Sequence, residues 1–261
     1  MKLPIYQVDA FAEKIFKGNP AAVCPLESWL PDEVMQLIAQ ENNLSETAFI
    51  VATVDGYHIR WFTPVAEVDL CGHATLAAAY VLFTSLGIKE KTIKFSSKSG
   101  ELKVTKNGSF ITMNFPSQPP KKCETPSAII QAFDIQPLEC LQAEDYVVVY
   151  RTEEEVSAVK PNFNLLNNLN LRGVIITAES KQYDFVARYF APKYGINEDP
   201  VTGSAYTQLV PYWSNRLSKK ELHAKQLSSR GGELFCELLG NRVNIAGRAV
   251  KYMEGIIEIK T

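Results

Sequence analysis

Histidine is scarce in this chain: His58, His73 and His223 are the three among 261 residues, and they lie far apart. No His-based metal motif of local spacing can be written from them. The five cysteines, Cys24, Cys71, Cys123, Cys140 and Cys236, are odd in number, scattered and free of any CxxC pair. Neither a disulfide framework nor a structural zinc site is expected, and the metal and cofactor sets are both read as none. A bias of charge is also missing, since 27 Lys and Arg stand against 29 Asp and Glu and no basic block exceeds two residues. That excludes the electrostatic footprint of a nucleic-acid or anionic-membrane binder. The longest apolar run, 74–83 with Thr75 inside it, is about half of the ~20 residues needed to span a bilayer, so it reads as a buried helix. The first residues lack a long apolar segment and meet an acid at Asp9, which argues against a secretory signal and for a cytoplasmic protein. Glycine-rich phosphate loops are absent from the helix starts discussed below, so nucleotide binding has no warrant.

What is present is an ordinary globular composition, 46% apolar and 10% aromatic, at a length where one core tends to become two. An internal duplication makes that division specific. Arg60-Trp61-Phe62-Thr63-Pro64 matches Arg188-Tyr189-Phe190-Ala191-Pro192 at an offset of 188−60 = 128. Gly72-His73-Ala74 matches Gly203-Ser204-Ala205 at 203−72 = 131, and Glu101-Leu102 matches Glu233-Leu234 at 233−101 = 132. Each half reads as strands, a Gly-started buried helix, then a hairpin turning at Asn107-Gly108 or Gly240-Asn241. The expected lobes are 1–117 and 118–261, joined through the Pro-rich segment 116–126, and either lobe could take the final strand. Two similar lobes would set equivalent loops across a cleft, where ligands favour binding.

The chemistry-bearing candidates cluster at the two helix starts, 68–75 and 198–205. Free N–H groups and the positive end of a helix dipole make such starts suited to a small carboxylate. Asp69 and Asp199 fit helix caps as well as catalysis. His73, at a helix start, is expected to lose basicity and stay a neutral imidazole. Glu46, just before the apolar strand 47–51, fits a solvated carboxylate or a local capping partner. Drawn into an apolar pocket it would serve as a general acid and base, because desolvation favours the protonated form of a carboxylate.

Six segments in series carry a resemblance: Gln7-Val8-Asp9-Ala10-Phe11, Gly18-Asn19-Pro20-Ala21-Ala22-Val23, Leu44-Ser45-Glu46-Thr47-Ala48-Phe49, Arg60-Trp61-Phe62-Thr63-Pro64, Asp69-Leu70-Cys71-Gly72-His73-Ala74-Thr75, and Glu198-Asp199-Pro200-Val201-Thr202-Gly203-Ser204-Ala205. Together they resemble the phenazine-biosynthesis PhzF-like family, within the diaminopimelate epimerase-like fold. The resemblance implies an α+β protein of two pseudo-symmetric lobes, each a curved, mostly antiparallel, barrel-like sheet around a central helix. It implies a homodimeric, cofactor-independent isomerase that moves a proton on a small carboxylate-bearing metabolite, with no nucleic-acid or membrane partner. Carried over residue by residue, Glu46 is the acid/base carboxylate, with His73 and Asp199 beside it in the catalytic set. The binding set is Asn19, Gly72, Ala74, Thr75, Gly203, Ser204 and Tyr206. Two departures stand out. Thr202 occupies the place where two-thiol racemases of this fold hold a second cysteine, which disfavours a racemase or epimerase built on Cys71. Tyr206 stands where many PhzF-like sequences have His, which leaves a non-catalytic ligand-binding protein of the same fold as the remaining alternative.

Overall fold

The computed structural model describes residues 1–259. The chain runs β1 (Lys2–Ala10), β2 (Asn19–Leu26), α1 (Asp32–Asn42), β3 (Glu46–Thr53), β4 (Gly56–Phe62), β5 (Glu67–Val68), α2 (Gly72–Tyr80), β6 (Thr92–Ser97), β7 (Gly100–Asn107) and β8 (Phe110–Pro116). It continues as β9 (Lys121–Cys123), α3 (Ser127–Phe133), β10 (Glu139–Gln142), β11 (Tyr146–Val149), α4 (Glu153–Ala158), α5 (Phe163–Leu166), β12 (Val174–Glu179), β13 (Phe185–Ala191) and β14 (Ile196–Asp199). The last elements are α6 (Tyr206–Leu217), β15 (Glu221–Gln226), β16 (Gly232–Leu239), β17 (Arg242–Gly247) and β18 (Ala249–Glu258).

Two compact units result, one of Met1–Asn114 plus the segment from Ala246 onward, the other of Phe115–Ile245. The sequence division at 117/118 gives residues 246–259 to the second half. In the structure β18 pairs antiparallel with β1, from Lys2↔Glu258 to Ala10↔Ala249, so the last strand, whose return the sequence reading allows, completes the first unit. The Pro-rich segment is also more than a linker, because β9 within it pairs with β10.

The duplication is one of strand pairing. In the first unit β2 lies parallel to β3, β3 antiparallel to β4, and β4 takes β5 antiparallel and β6 parallel. In the second, β11, β12, β13, β14 and β15 repeat those relations in the same order. The repeated Arg-x-Phe motif has a physical cause. Residues two apart on a strand share a face, so Arg60 lies 5.2 Å over the Phe62 ring and Arg188 5.0 Å over Phe190. Each guanidinium then donates twice to a glutamate of the following short strand: Arg60 to Glu67 at 2.7 and 2.9 Å, Arg188 to Glu198 at 2.7 and 3.1 Å.

Helix α2 is apolar but for His73, Thr75 and the Tyr80 hydroxyl, and it sits inside the first unit, as mostly apolar helices do. Residues Gly72 to Ala79 are all buried, and the helix packs on β1, β2, β3 and β18. Helix α6 carries Pro211 in its interior, which cannot donate to the carbonyl four residues back. The freed Thr207 carbonyl instead accepts from the Gln118 N–H at 2.9 Å, so no backbone acceptor is lost. Trp213 of α6 stacks on Phe185 at 5.5 Å and donates from Nε1 to Thr177 Oγ1 at 3.0 Å. No helix among the described residues is long and apolar enough to cross a membrane, and all five cysteines are free thiols.

Gly18 sets the entry into β2. Its φ is +66°, and a Cβ there would collide with the Ala10 carbonyl oxygen, a backbone atom that cannot swing away. Gly18→Ala is expected to cost about 1–3 kcal/mol of stability, measured by urea unfolding. A variant as stable as the wild type would contradict this.

Candidate active site

The parallel pairing of β2 with β3 puts Ala21 opposite Glu46, which brings the starts of these strands to the start of α2. Three side chains meet there. Glu46 Oε2 lies 3.0 Å from His73 Nε2, and the other imidazole nitrogen, Nδ1, faces Asn19 Nδ2 at 3.2 Å and Cys71 Sγ at 3.6 Å. Asn19 is held in turn by Ser45, whose hydroxyl donates to its Oδ1 at 3.3 Å. Cys71 takes the cap position in an extended conformation, φ −143° and ψ 113°, without a side-chain cap bond. Thr75 Oγ1 and N–H both turn back to the Cys71 carbonyl, at 2.6 and 3.1 Å.

Glu46, His73 and Cys71 are only 8%, 4% and 7% exposed. The close approach of Glu46 to His73 is poorly aligned, and neither Glu46 Oε2 nor His73 Nε2 has a hydrogen-bond partner among the described residues. The two side chains thus meet as a buried ion pair at 3.0 Å rather than as an aligned hydrogen bond. Burial alone would lower the basicity of His73, but the Cys71 sulfur and the Glu46 carboxylate outweigh it and raise its pKa well above the ordinary value. The direction is opposite to that expected from the helix start alone, because a carboxylate from another strand stands beside the ring. Burial, reinforced by Glu46, pushes the Cys71 thiol up to about 11.

The raised His73 pKa has a stability consequence with a definite sign. An unfolded imidazole titrates near ~6.5, so protonation of the folded form at higher pH favours folding. That contribution is complete below the unfolded value and is lost as pH rises toward the folded one. His73→Gln is therefore expected to destabilise more at about pH 6 than at about pH 9, read from urea melts of both proteins. Equal losses at the two pH values would contradict the raised pKa.

The second helix start is built differently. A single 3-10 turn, Gly203–Ala205, precedes α6. Asp199 is buried and accepts from Thr202 Oγ1 at 2.5 Å. Gln226, from β15, clamps the loop: its Nε2 donates to the Asp199 carbonyl at 2.8 Å, and its Oε1 accepts from the Thr202 N–H at 2.9 Å. Ser204 is partly buried, with its carbonyl taken by Thr207 Oγ1 at 2.7 Å.

The sequence candidates therefore divide. Glu46, His73 and Asn19 come together in the first unit, with Gly72 at the head of α2, while Asp199, Gly203 and Ser204 form the loop of the second. Three binding candidates are placed as core side chains. Tyr206 is fully buried with its ring 5.9 Å from Phe185, Ala74 is fully buried, and the Thr75 hydroxyl is spent on its own helix. Asp69 is exposed and caps nothing, since Cys71 holds the cap position. Cys71 as the neighbour of His73, and Gln226 as the loop clamp, escape the sequence reading. Cys71 stands two residues from His73, but Gln226 lies on a remote strand with no local signal.

A family model described as "Phenazine biosynthesis-like protein" matches residues 8–255. A Pseudomonas aeruginosa protein named as an uncharacterized isomerase is 51% identical over 99% of this chain and 100% of its own length. The crystal structure of a PhzF-family phenazine biosynthesis protein from Enterococcus faecalis superposes with a TM-score of 0.97 at 48% identity, covering 99% of this chain and all of that one. A hydroxyproline epimerase from Agrobacterium vitis, at 10% identity and a TM-score of 0.66 over 98% of this chain and 92% of its own, shares the fold.

Proposed function

Because the chain belongs to the phenazine biosynthesis-like protein family, we propose that it is an isomerase that moves a proton between carbons of a small carboxylate-bearing molecule, with Glu46 as acid and base. The carrying observation is the buried Glu46 carboxylate, 3.0 Å from His73 Nε2 at the start of α2. A carboxylate held there takes a proton from a carbon next to the substrate's carboxylate or unsaturated system. Negative charge then develops on substrate oxygen, and N–H groups of the first turn of α2, fixed before reaction, stabilise it. Glu46, now protonated, returns the proton to a second carbon of the same molecule, so protons balance over the cycle. His73 bears on the Glu46 carboxylate and restrains its charge through each transfer, while Asn19, anchored by Ser45, fixes the imidazole from its far side. By the family resemblance, Asp199, Gly203 and Ser204 are assigned to substrate binding.

A racemase using Cys71 fits less well. Its thiol is pushed up to about 11, which leaves little thiolate at neutral pH, and Thr202 is bonded to Asp199 rather than free as a second proton carrier. The test is incubation of the protein with a panel of small unsaturated and α-substituted carboxylic acids in deuterated water. Deuterium at carbon in at least one acid is the expected result. Acids that bind without any exchange or rearrangement would favour a non-catalytic binding protein.

A further inference from the structure

We propose that Glu46, Cys71 and His73 also form a binding site for a soft divalent metal ion of the zinc class. One carboxylate oxygen, one thiol sulfur and one imidazole nitrogen lie within 4.8 Å of one another, although their positions in sequence give no metal-binding spacing. Oxygen, nitrogen and sulfur together form a donor set that zinc takes, with Zn–S near ~2.3 Å and Zn–N and Zn–O near ~2.0–2.2 Å. Those lengths put sulfur and nitrogen about 3.6 Å apart around one tetrahedral ion, and Cys71 Sγ already stands 3.6 Å from His73 Nδ1. A rotation of the Glu46 side chain closes the set.

A second observation points the same way. Glu46 Oε2 is buried without an aligned hydrogen bond among the described residues, so it can turn to an ion, which at His73 Nδ1 takes the place of the Asn19 amide contact at 3.2 Å. Three protein ligands leave a fourth position for water or an anionic ligand. Binding releases two protons to solvent, one from the Cys71 thiol and one from the His73 imidazolium, so that a thiolate and a neutral imidazole are the ligands. The consequence for activity rests on the acid/base reading of Glu46: an oxygen tied to the ion cannot carry a proton, so the loaded protein is an inhibited form. The binding itself does not depend on that reading.

Equilibrium dialysis of chelator-treated protein against Zn²⁺, with Co²⁺ absorption as a spectroscopic signature, tests the site. One Zn²⁺ per chain and a near-ultraviolet thiolate-to-cobalt band are expected. Cys71→Ala should remove the band and weaken Zn²⁺ binding by more than ~100-fold, beyond the loss typical of residues that only support a ligand. Cys123→Ala is the control, because Cys123 and Cys140 form a close thiol pair of their own in the second unit, at 3.7 Å. It should leave both signals intact. Cys71→Ser, with circular dichroism, guards against misfolding of the alanine variant. No retained Zn²⁺ in the wild type, unchanged binding in both folded Cys71 variants, or loss of binding in Cys123→Ala would overturn the proposal. Solvent exchange by chelator-treated protein is read separately, so failure of the isomerase reading and failure of the metal site are distinguishable.

Discussion

Glu46→Gln is expected to lower deuterium exchange into substrate by about 10²–10⁴-fold, the range that a positioned acid/base supplies. The amide keeps the size and much of the hydrogen-bonding capacity of the carboxylate but cannot accept and return a proton. Substrate affinity should therefore change by less than ~3-fold, since the lost interaction belongs to the transition state. Rate and affinity are measured independently, by isotope incorporation and by calorimetric titration with the responsive acid. A glutamine variant that exchanges at the wild-type rate removes Glu46 from the mechanism. One that binds far more weakly gives it a binding role instead.

The largest loss of stability is expected from Arg172→Met, about 3–5 kcal/mol, because it strands a fully buried charge. Asp145 has no exposed surface. Arg172 donates to both its oxygens, at 3.0 and 2.5 Å, while Gln208 Nε2 donates at 2.7 Å and the Tyr189 hydroxyl at 3.1 Å. The carboxylate is thus satisfied on every side, but only Arg172 balances its charge in that cluster. At roughly 2–4 °C per kcal/mol for a chain of this size, the melting temperature should fall by about 6–20 °C. Replacing both partners, as in Asp145→Asn with Arg172→Met, should recover part of the loss, because the buried charge is gone while the amide oxygen still accepts from Gln208 or Tyr189. Thermal melts of the three proteins decide it. A single variant no less stable than the double would contradict the reading.

The duplication was legible because its anchors do local work. Each Arg of the Arg-x-Phe motif stacks on its own strand and pairs with the next short one, so the pattern survives in sequence. The α2 helix was equally legible, since a helix buried on all sides leaves an apolar run. Contacts made over long separations were hidden. Nothing near β18 announces that β1, some 250 residues earlier, is its partner, and nothing near Asp145 names Arg172 or Gln208. Tyr206 shows another limit: its position at a helix start was visible, but the face on which it lies was not, and Phe185 and the interior of the second unit claim its ring. Glu46 is ambiguous from its neighbours alone, and its proposed role rests on the family motif. The spacing of His and Cys along the chain gives no metal motif, yet folding assembles three different donor atoms from two separate segments.

The most direct test of the acid/base role is a crystal structure with the exchanging acid bound. The carbon that takes up deuterium should lie within hydrogen-bond reach of the Glu46 carboxylate, about 3 Å, with the acid's own carboxylate against the first turn of α2. An exchanging carbon held instead beside Cys71 Sγ, or out of reach of Glu46 altogether, would contradict the account.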